Sequence, residues 1–293
     1  MDITASMVKE LRDKTGAGMM DAKKALVETN GDMEKASEIL RQKGIASADK
    51  KMGRIAAEGL VGSAVAGAKG AMVEINCETD FVAKNEDFKD LVNVIAQTVL
   101  DNNPTDVAAL NTSKTPSGMV VEDYIKEAIA KIGEKITIRR FVRYDGEGKV
   151  STYIHNGKIG VLLEAQCNCG GNCDGTTAKD VCLHIASSAP EFVSRAQIPQ
   201  SVIDEETRIE MGKEDLASKP EPIRAKIVEG RVNKLMAQKC LLEQPFVKNP
   251  DVTIEKLVEG KTTILRFERY VLGEGLEKRE ENFADEVMNQ IKG

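Results

Sequence analysis

Three cysteines crowd the stretch CNCGGNC, at Cys167, Cys169 and Cys173, and Cys182 and His184 follow in KDVCLHIA. Thiolate and imidazole together suit zinc, and closely spaced thiols can also carry redox chemistry. A second use of the same residues is packing. Cys167 falls on the inward face of an expected strand and Cys182 on an apolar helical stripe, where cysteine behaves as a small hydrophobe. Residues two apart on a helix, such as 182 and 184, also face different ways. The expectation is that no metal is held, with Cys167, Cys169, Cys173 and Cys182 as the candidates if one is.

Other enzyme signatures fail on spacing. EGKTT (259–263) is reminiscent of a phosphate loop, but that motif needs a glycine five residues before Gly260, and position 255 is Glu. GEGKVS (146–151) fails in the same way, with Arg143 at the required position. The chain has two histidines, His155 in an expected turn and His184 on an expected helix, so neither a zinc-protease helix nor a nucleophile-histidine pair is supported. No active-site chemistry and no cofactor are expected.

The remaining pattern suited to recognition is CETDFVAKNEDF (77–88), where Asp80 and Phe81 stand together among polar neighbours after an apolar strand. Thr79 or Asp80 could cap a helical turn against which Phe81 packs. An exposed aromatic beside a carboxylate is alternatively an interaction anchor.

The elements that must hold these residues follow from periodicity. With 293 residues, 41% of them apolar, the chain can bury a sizeable core and should divide into several parts. Thr4 can cap a helix to about Lys14, TGAG turns the chain, and MMDAKKALVE has helical spacing through Met19, Ala22 and Leu26. Asn30-Gly31 breaks that helix, Asp32 can cap a third, and Gly44 is placed to end it. ASADKKMGR then reads as a linker.

The middle of the chain repeats at an offset of 90 residues, Gly70 to Gly160. GAMVEINC (70–77) lies over GVLLEAQC (160–167), and KDLVNVIA (89–96) over KDVCLHIA (179–186). Val73, Ile75 and Cys77 share one strand face while Glu74 and Asn76 share the other, so both strands are expected to be half-buried. Each is preceded by a hairpin whose Gly67 and Gly157 also correspond. Under the same offset Asp80 and Phe81 fall on Gly170 and Gly171, so the fold tolerates neither side chain there, which favours an outward role for the pair. A loop at 101–118, a helix to about Ile132 and the strand KITIRRFVRY join the halves. After residue 199 two charged helices turn at SKPEP, followed by a short helix, the strand TTILRFERYVLG and a last amphipathic helix.

The fold class expected is therefore α+β. The parts are a three-helix module and linker at 1–54, a first core half at 55–144, a second at 145–199 with 241–275, a helical hairpin at 200–240, and a C-terminal helix at 276–293. A formal charge of -6 disfavours phosphate neutralisation and hence direct nucleic-acid binding. No apolar run approaches the roughly 20 residues of a membrane helix, and MDITASMVKEL lacks a signal-peptide layout. Six cysteines, unevenly spaced, fit reduced thiols, so the cytoplasm is the expected compartment.

TGAGMMDAKKAL, NCETDFVAKN, KIGEKITIRR, QPFVKNP and GEGLEK, in that order, resemble the bacterial elongation factor Ts family over nearly the whole chain. The resemblance implies a ubiquitin-associated-like (UBA-like) N-terminal module, a duplicated α+β core, a protruding helical hairpin and a C-terminal helix. It implies guanine nucleotide exchange on elongation factor Tu, without bound nucleotide or covalent chemistry. The element Thr79, Asp80, Phe81 and Val82 would intrude beside the partner's magnesium site, the aromatic acting as a wedge. Further contacts would come from Met19, Met20 and Lys23, from Ile132 and Gly133, from His184 and from Val247. Taken alone, the methionines could be core, Lys23 a solvated charge, Gly133 a helix cap and His184 an edge histidine. CNCGGNCDG departs from the family, whose connection there is short, polar and without three cysteines. A metal or redox protein and a purely structural adaptor remain as alternatives, and the hairpin could support a homodimer.

Overall fold

The computed structural model describes residues 3–51, 53–168 and 175–277. Three helices open the chain: α1 (Ala5–Thr15), α2 (Met19–Glu28) and α3 (Met33–Lys51). Their starts and stops are those the sequence signals. The Thr4 hydroxyl accepts from the Met7 amide, Asp32 accepts from Glu34 and Lys35, and Gly16 ends α1 in the left-handed region. Val8, Leu11, Ala22, Ala25, Leu26, Ala36 and Leu40 form a core of their own.

The third helix departs from expectation, because it passes through Gly44 and most of the presumed linker. Alanine and lysine are good helix formers, and the glycine costs only about 1 kcal/mol. Gly44 is also at a close approach. A Cβ built on it would stand 2.8 Å from the Ala130 Cβ, so the position where α3 crosses the later helix α7 (Val121–Ile132) demands a minimal side chain.

Next come the hairpin β1 (Glu58–Ala66) and β2 (Lys69–Cys77), the short α4 (Asp80–Ala83), and α5 (Glu86–Asn102). The expected loop at 101–118 contains a helical turn, α6 (Val107–Thr112), capped by Asp106 at the Ala109 amide. Helix α7 precedes β3 (Thr137–Asp145), and the hairpin is repeated by β4 (Lys149–His155) and β5 (Ile159–Cys167), followed by α8 (Thr176–Ser188). Helices α9 (Gln200–Met211) and α10 (Glu221–Lys239) pack on each other with a small core of Leu216, Val228, Val232 and Met236. The chain continues through β6 (Pro245–Phe246), β7 (Asn249–Thr253), α11 (Ile254–Val258) and β8 (Thr262–Val271). Residues 278–293, where the last amphipathic helix was expected, lie outside the described residues.

The architecture is mixed α+β. Sheets run in the orders β1-β2-β3, β4-β5-β8 and β6-β7. The chain divides into two compact units, one holding residues to Ala64, Ala71–Val142 and the segment from Val271, the other Val65–Gly70 and Arg143–Tyr270. In the first, Val73, Ile75 and Cys77 of β2 meet Phe88, Leu91, Val92, Ile95 and Val99 of α5. In the second, Val161 and Leu163 of β5 meet Val181, Cys182 and Ile185 of α8. Burial of each large apolar side chain contributes roughly 1.5–3 kcal/mol. Gly67 and Gly157 both have positive φ, 65° and 69°, so the repeat extends to the hairpin turns.

The central strands are not half-buried as expected. Every β2 residue from Gly70 to Cys77 is buried, Glu74 and Asn76 included. The second face is closed by ion pairs: Glu74 accepts from Arg139 and Arg140 at 2.9 and 2.7 Å and from the Gly273 amide at 2.8 Å. Glu164, its counterpart in the repeat, accepts from Arg266 at 2.6 Å and the Gly148 amide at 3.2 Å. Each half thus carries a buried glutamate on its middle strand, paired by arginine from the third strand. Burial pushes the Glu74 carboxyl up, but the Gly273 amide and the two guanidiniums outweigh it and hold it below the ordinary value.

Candidate functional site

Thr79 stands at the start of α4 in extended conformation, and its hydroxyl accepts from the Val82 amide at 3.4 Å. The cap expected from sequence is present, but Phe81 does not pack against it. Val82 and Ala83 turn inward onto the core, and a one-turn helix must then point Phe81 outward, leaving it 79% exposed. Asp80 pairs with Lys84 at 2.7 Å, and the Lys84 ammonium lies 5.8 Å from the centre of the Phe81 ring. Phe81 thus stands as an exposed aromatic on a turn whose other apolar side chains are packed.

Two carboxylates hold this turn. Glu134 accepts from the Glu78 and Thr79 amides, both at 3.0 Å, and from the Thr79 hydroxyl at 2.6 Å. In return Glu78 accepts from the Lys135 amide at 2.7 Å and from Arg54 at 3.2 Å. The Lys135 ammonium donates to the Arg54 carbonyl at 2.8 Å. Beneath them the Cys77 thiol donates to the Thr79 carbonyl at 3.1 Å, and burial, aided by the Glu134 charge, pushes that thiol up to about 12.

Helix α7 ends at Ile132, with Gly133 as a left-handed cap at φ 91° whose amide donates to Ile129. Ile132 packs partly on the core while Gly133 is exposed, and both sit immediately before Glu134. Met19 and Met20 occupy the first turn of α2 and are exposed, as is Lys23, because Ala22, Ala25 and Leu26 take the inward stripe. Their role is therefore not core packing. The preceding turn meets α7: Gly16, Ala17 and Gly18 line a cleft of about 690 Å³ together with Tyr124, Lys131 and Ile132. Three of the expected contact groups thus belong to one compact unit.

His184 and Val247 belong to the other unit. The imidazole is fully buried, so the surface contact the resemblance implied for His184 is not available to its side chain. Its Nδ1 accepts from the Val247 amide at 3.2 Å, which places the proton on Nε2, and Nε2 donates to the Gln244 side-chain oxygen at 2.8 Å. Burial lowers the His184 pKa, opposed by the Gln244 bond. Val247 itself is exposed beyond buried Phe246, and Lys248 pairs with Asp180 at 2.6 Å. His184 holds the turn that displays Val247.

The cysteine constellation does not assemble among the described residues. Cys182 is buried in the core with its thiol pushed up to about 12 by burial. Cys167 is disulfide-bonded, where reduced thiols were expected. Cys169 and Cys173 lie outside the described residues. Among the described residues no group of three His, Cys, Asp or Glu could hold a metal ion, and no helix is long and apolar enough to cross a membrane. Sequence reasoning missed Glu78, Glu134 and Gln244. Each of the first two adjoins a residue that was singled out, but nothing in spacing announces that 78 and 134 meet.

Fold and site together define a mixed α+β protein that displays apolar side chains on anchored turns. The family model described as Elongation factor TS matches residues 78–274. A relative named Elongation factor Ts, from Thioalkalivibrio sulfidiphilus (strain HL-EbGR7), is 50% identical over 298 residues, covering 100% of both chains. The chain belongs to the elongation factor Ts family and is, by that membership, a translation elongation factor.

Proposed function

We propose that this protein is a guanine nucleotide exchange factor that binds elongation factor Tu in its GDP form and promotes GDP release and GTP reloading. The observation that carries the reading is Phe81, 79% exposed on a turn fixed by a threonine cap and two carboxylates. In this reading Thr79, Asp80, Phe81 and Val82 enter beside the partner's magnesium and phosphate site, with the ring as wedge. Because the metal bridges phosphate and protein, displacing its surroundings weakens GDP binding. The coupling is reciprocal: GDP must weaken the affinity for this protein by the same factor. No covalent step and no cofactor are required, and the protein itself binds no nucleotide, nucleic acid or membrane.

Met19, Met20, Lys23, Ile132, Gly133 and Val247 supply further contact area, and His184 acts through Val247. The finer domain plan belongs to the same reading. The separate cores of α1–α3 and of α9–α10 support a UBA-like module within 1–54 and a hairpin at 200–240, the latter available for homodimerisation. The core halves are 55–144 and 145–199 with 241–275, with 276–293 as the C-terminal element. Function in translation places the protein in the cytoplasm. The test is release of a fluorescent GDP analogue from elongation factor Tu, which this protein should accelerate strongly and an Asp80→Ala, Phe81→Ala variant should not. A protein that binds elongation factor Tu without accelerating release would instead be an adaptor.

A further inference from the structure

We propose that Glu134 is the positioning residue of the Phe81 element, with Glu78 completing a reciprocal clamp. The proposal rests on the exchange reading above. A four-residue helix is below the length at which helices hold themselves. Three of the bonds that close it are long, Ala83 to Thr79 at 3.4 Å, Lys84 to Phe81 at 3.2 Å and the Val82 amide to the Thr79 hydroxyl at 3.4 Å, while Asn85 to Val82 at 3.0 Å is of ordinary length. Glu134 adds three from outside, accepting from the Thr79 hydroxyl at 2.6 Å, the shortest of the set, and from two amides at 3.0 Å.

The hydroxyl explains why the carboxylate matters. Thr79 has one proton to donate, and giving it to Glu134 leaves a lone pair facing the Val82 amide, which is the cap of α4. Without Glu134 the hydroxyl rotor is unconstrained and the Glu78 and Thr79 amides lose their acceptor. Glu78 answers by taking the Lys135 amide, so two segments 55 to 57 residues apart exchange backbone donors through each other's carboxylates. The turn at Ile132-Gly133 and the turn bearing Phe81 then share one orientation. Glu134 itself need not touch the partner.

The experiment is a double-mutant cycle on the maximal rate of GDP-analogue release from elongation factor Tu, using Glu134→Ala, Glu134→Gln, Phe81→Ala and Glu134→Ala with Phe81→Ala. Amide hydrogen exchange is followed on the free proteins. Glu134→Ala should lower the maximal rate about tenfold, as expected when the hydrogen bonds that select the competent turn are lost and water replaces them in part. Glu134→Gln, which retains one acceptor oxygen, should fall between. In the Phe81→Ala background the Glu134 substitution should cost less than twofold, because it acts through Phe81. Exchange should quicken at Glu78 and Thr79 while Val73 to Ile75 stay protected. A wild-type rate in Glu134→Ala, or an undiminished loss in the Phe81→Ala background, overturns the positioning role. If wild type does not accelerate release, the exchange reading fails, and unchanged protection at Glu78 and Thr79 would still refute the clamp separately.

Discussion

Replacing Glu74 by glutamine should destabilise the unit that contains it by about 3 kcal/mol, the lower end of the cost of breaking a buried ion pair. The carboxylate is fully buried and accepts from Arg139, Arg140 and the Gly273 amide, while the two arginine side chains are 23% and 30% exposed. Glutamine keeps the shape but offers one acceptor oxygen and no charge, so Arg139 loses its counter-ion, Arg140 keeps only the more exposed Glu274 at 3.5 Å, and both recover only part of their hydration. The internal repeat supplies the control. Glu164 is also buried but pairs with a single arginine, Arg266, that is 50% exposed and keeps its contact with the Tyr144 ring, so Glu164→Gln should cost about 1 kcal/mol. Because two compact units need not unfold together, calorimetry that resolves separate transitions is the assay. Glu74→Gln should lower its transition by roughly 6 °C or more and Glu164→Gln by about 2–4 °C. Equal shifts, or a larger one for Glu164→Gln, would refute the claim that arginine pairing closes the second face of β2. The pH dependence has a definite sign: with the folded pKa of Glu74 held below the ordinary carboxylate value, its stabilisation is complete above that value and is lost as pH falls through the folded one.

Gly44→Leu should destabilise the N-terminal helices against α7, because even an added Cβ would stand 2.8 Å from the Ala130 Cβ; overpacking of this kind costs about 1–3 kcal/mol, read as a lower melting temperature, and Gly44→Ala should cost less. Burial lowers the folded pKa of His184, so the unfolded chain takes up a proton first as pH falls below about 6.5, and stability should decline from there toward the folded pKa. The drop in urea midpoint between pH 7 and pH 5 should be smaller in His184→Gln than in wild type, and an equal drop would show that His184 is not the group responsible. Met19→Ala with Met20→Ala should leave melting nearly unchanged, since both side chains are exposed, while weakening binding to elongation factor Tu several-fold in titration calorimetry.

Much of the fold is legible because its signals are local. Thr4 and Asp32 read as caps from type and position alone, and the apolar stripes of α5 and α8 follow from spacing. Gly44 misled because its purpose is a crossing with Ala130 on a helix 86 positions away, a fact no local window contains. The β6–β7 pair escaped for a different reason: β6 is two residues long and carries no periodicity, and β7 opens on Asn-Pro-Asp, which reads as a turn. Glu74 and Glu164 look like solvent-facing residues until their arginines are known, and alternation cannot tell a wet face from one closed by ion pairs. At the candidate site, the exposure of Phe81 was legible from its glycine counterparts in the repeat. The clamp that holds it was not, because hydrogen bonds between Thr79 and Glu134 are a product of tertiary structure.

The most direct test of the central claim is the maximal rate of fluorescent GDP release from elongation factor Tu with saturating wild type and with Phe81→Ala. Wild type should accelerate release by orders of magnitude, and Phe81→Ala, at unchanged melting temperature, should lose roughly 30-fold of that, as expected for an anchor of about 2 kcal/mol. Acceleration retained in full by Phe81→Ala would contradict the wedge, and no acceleration by wild type would contradict exchange itself.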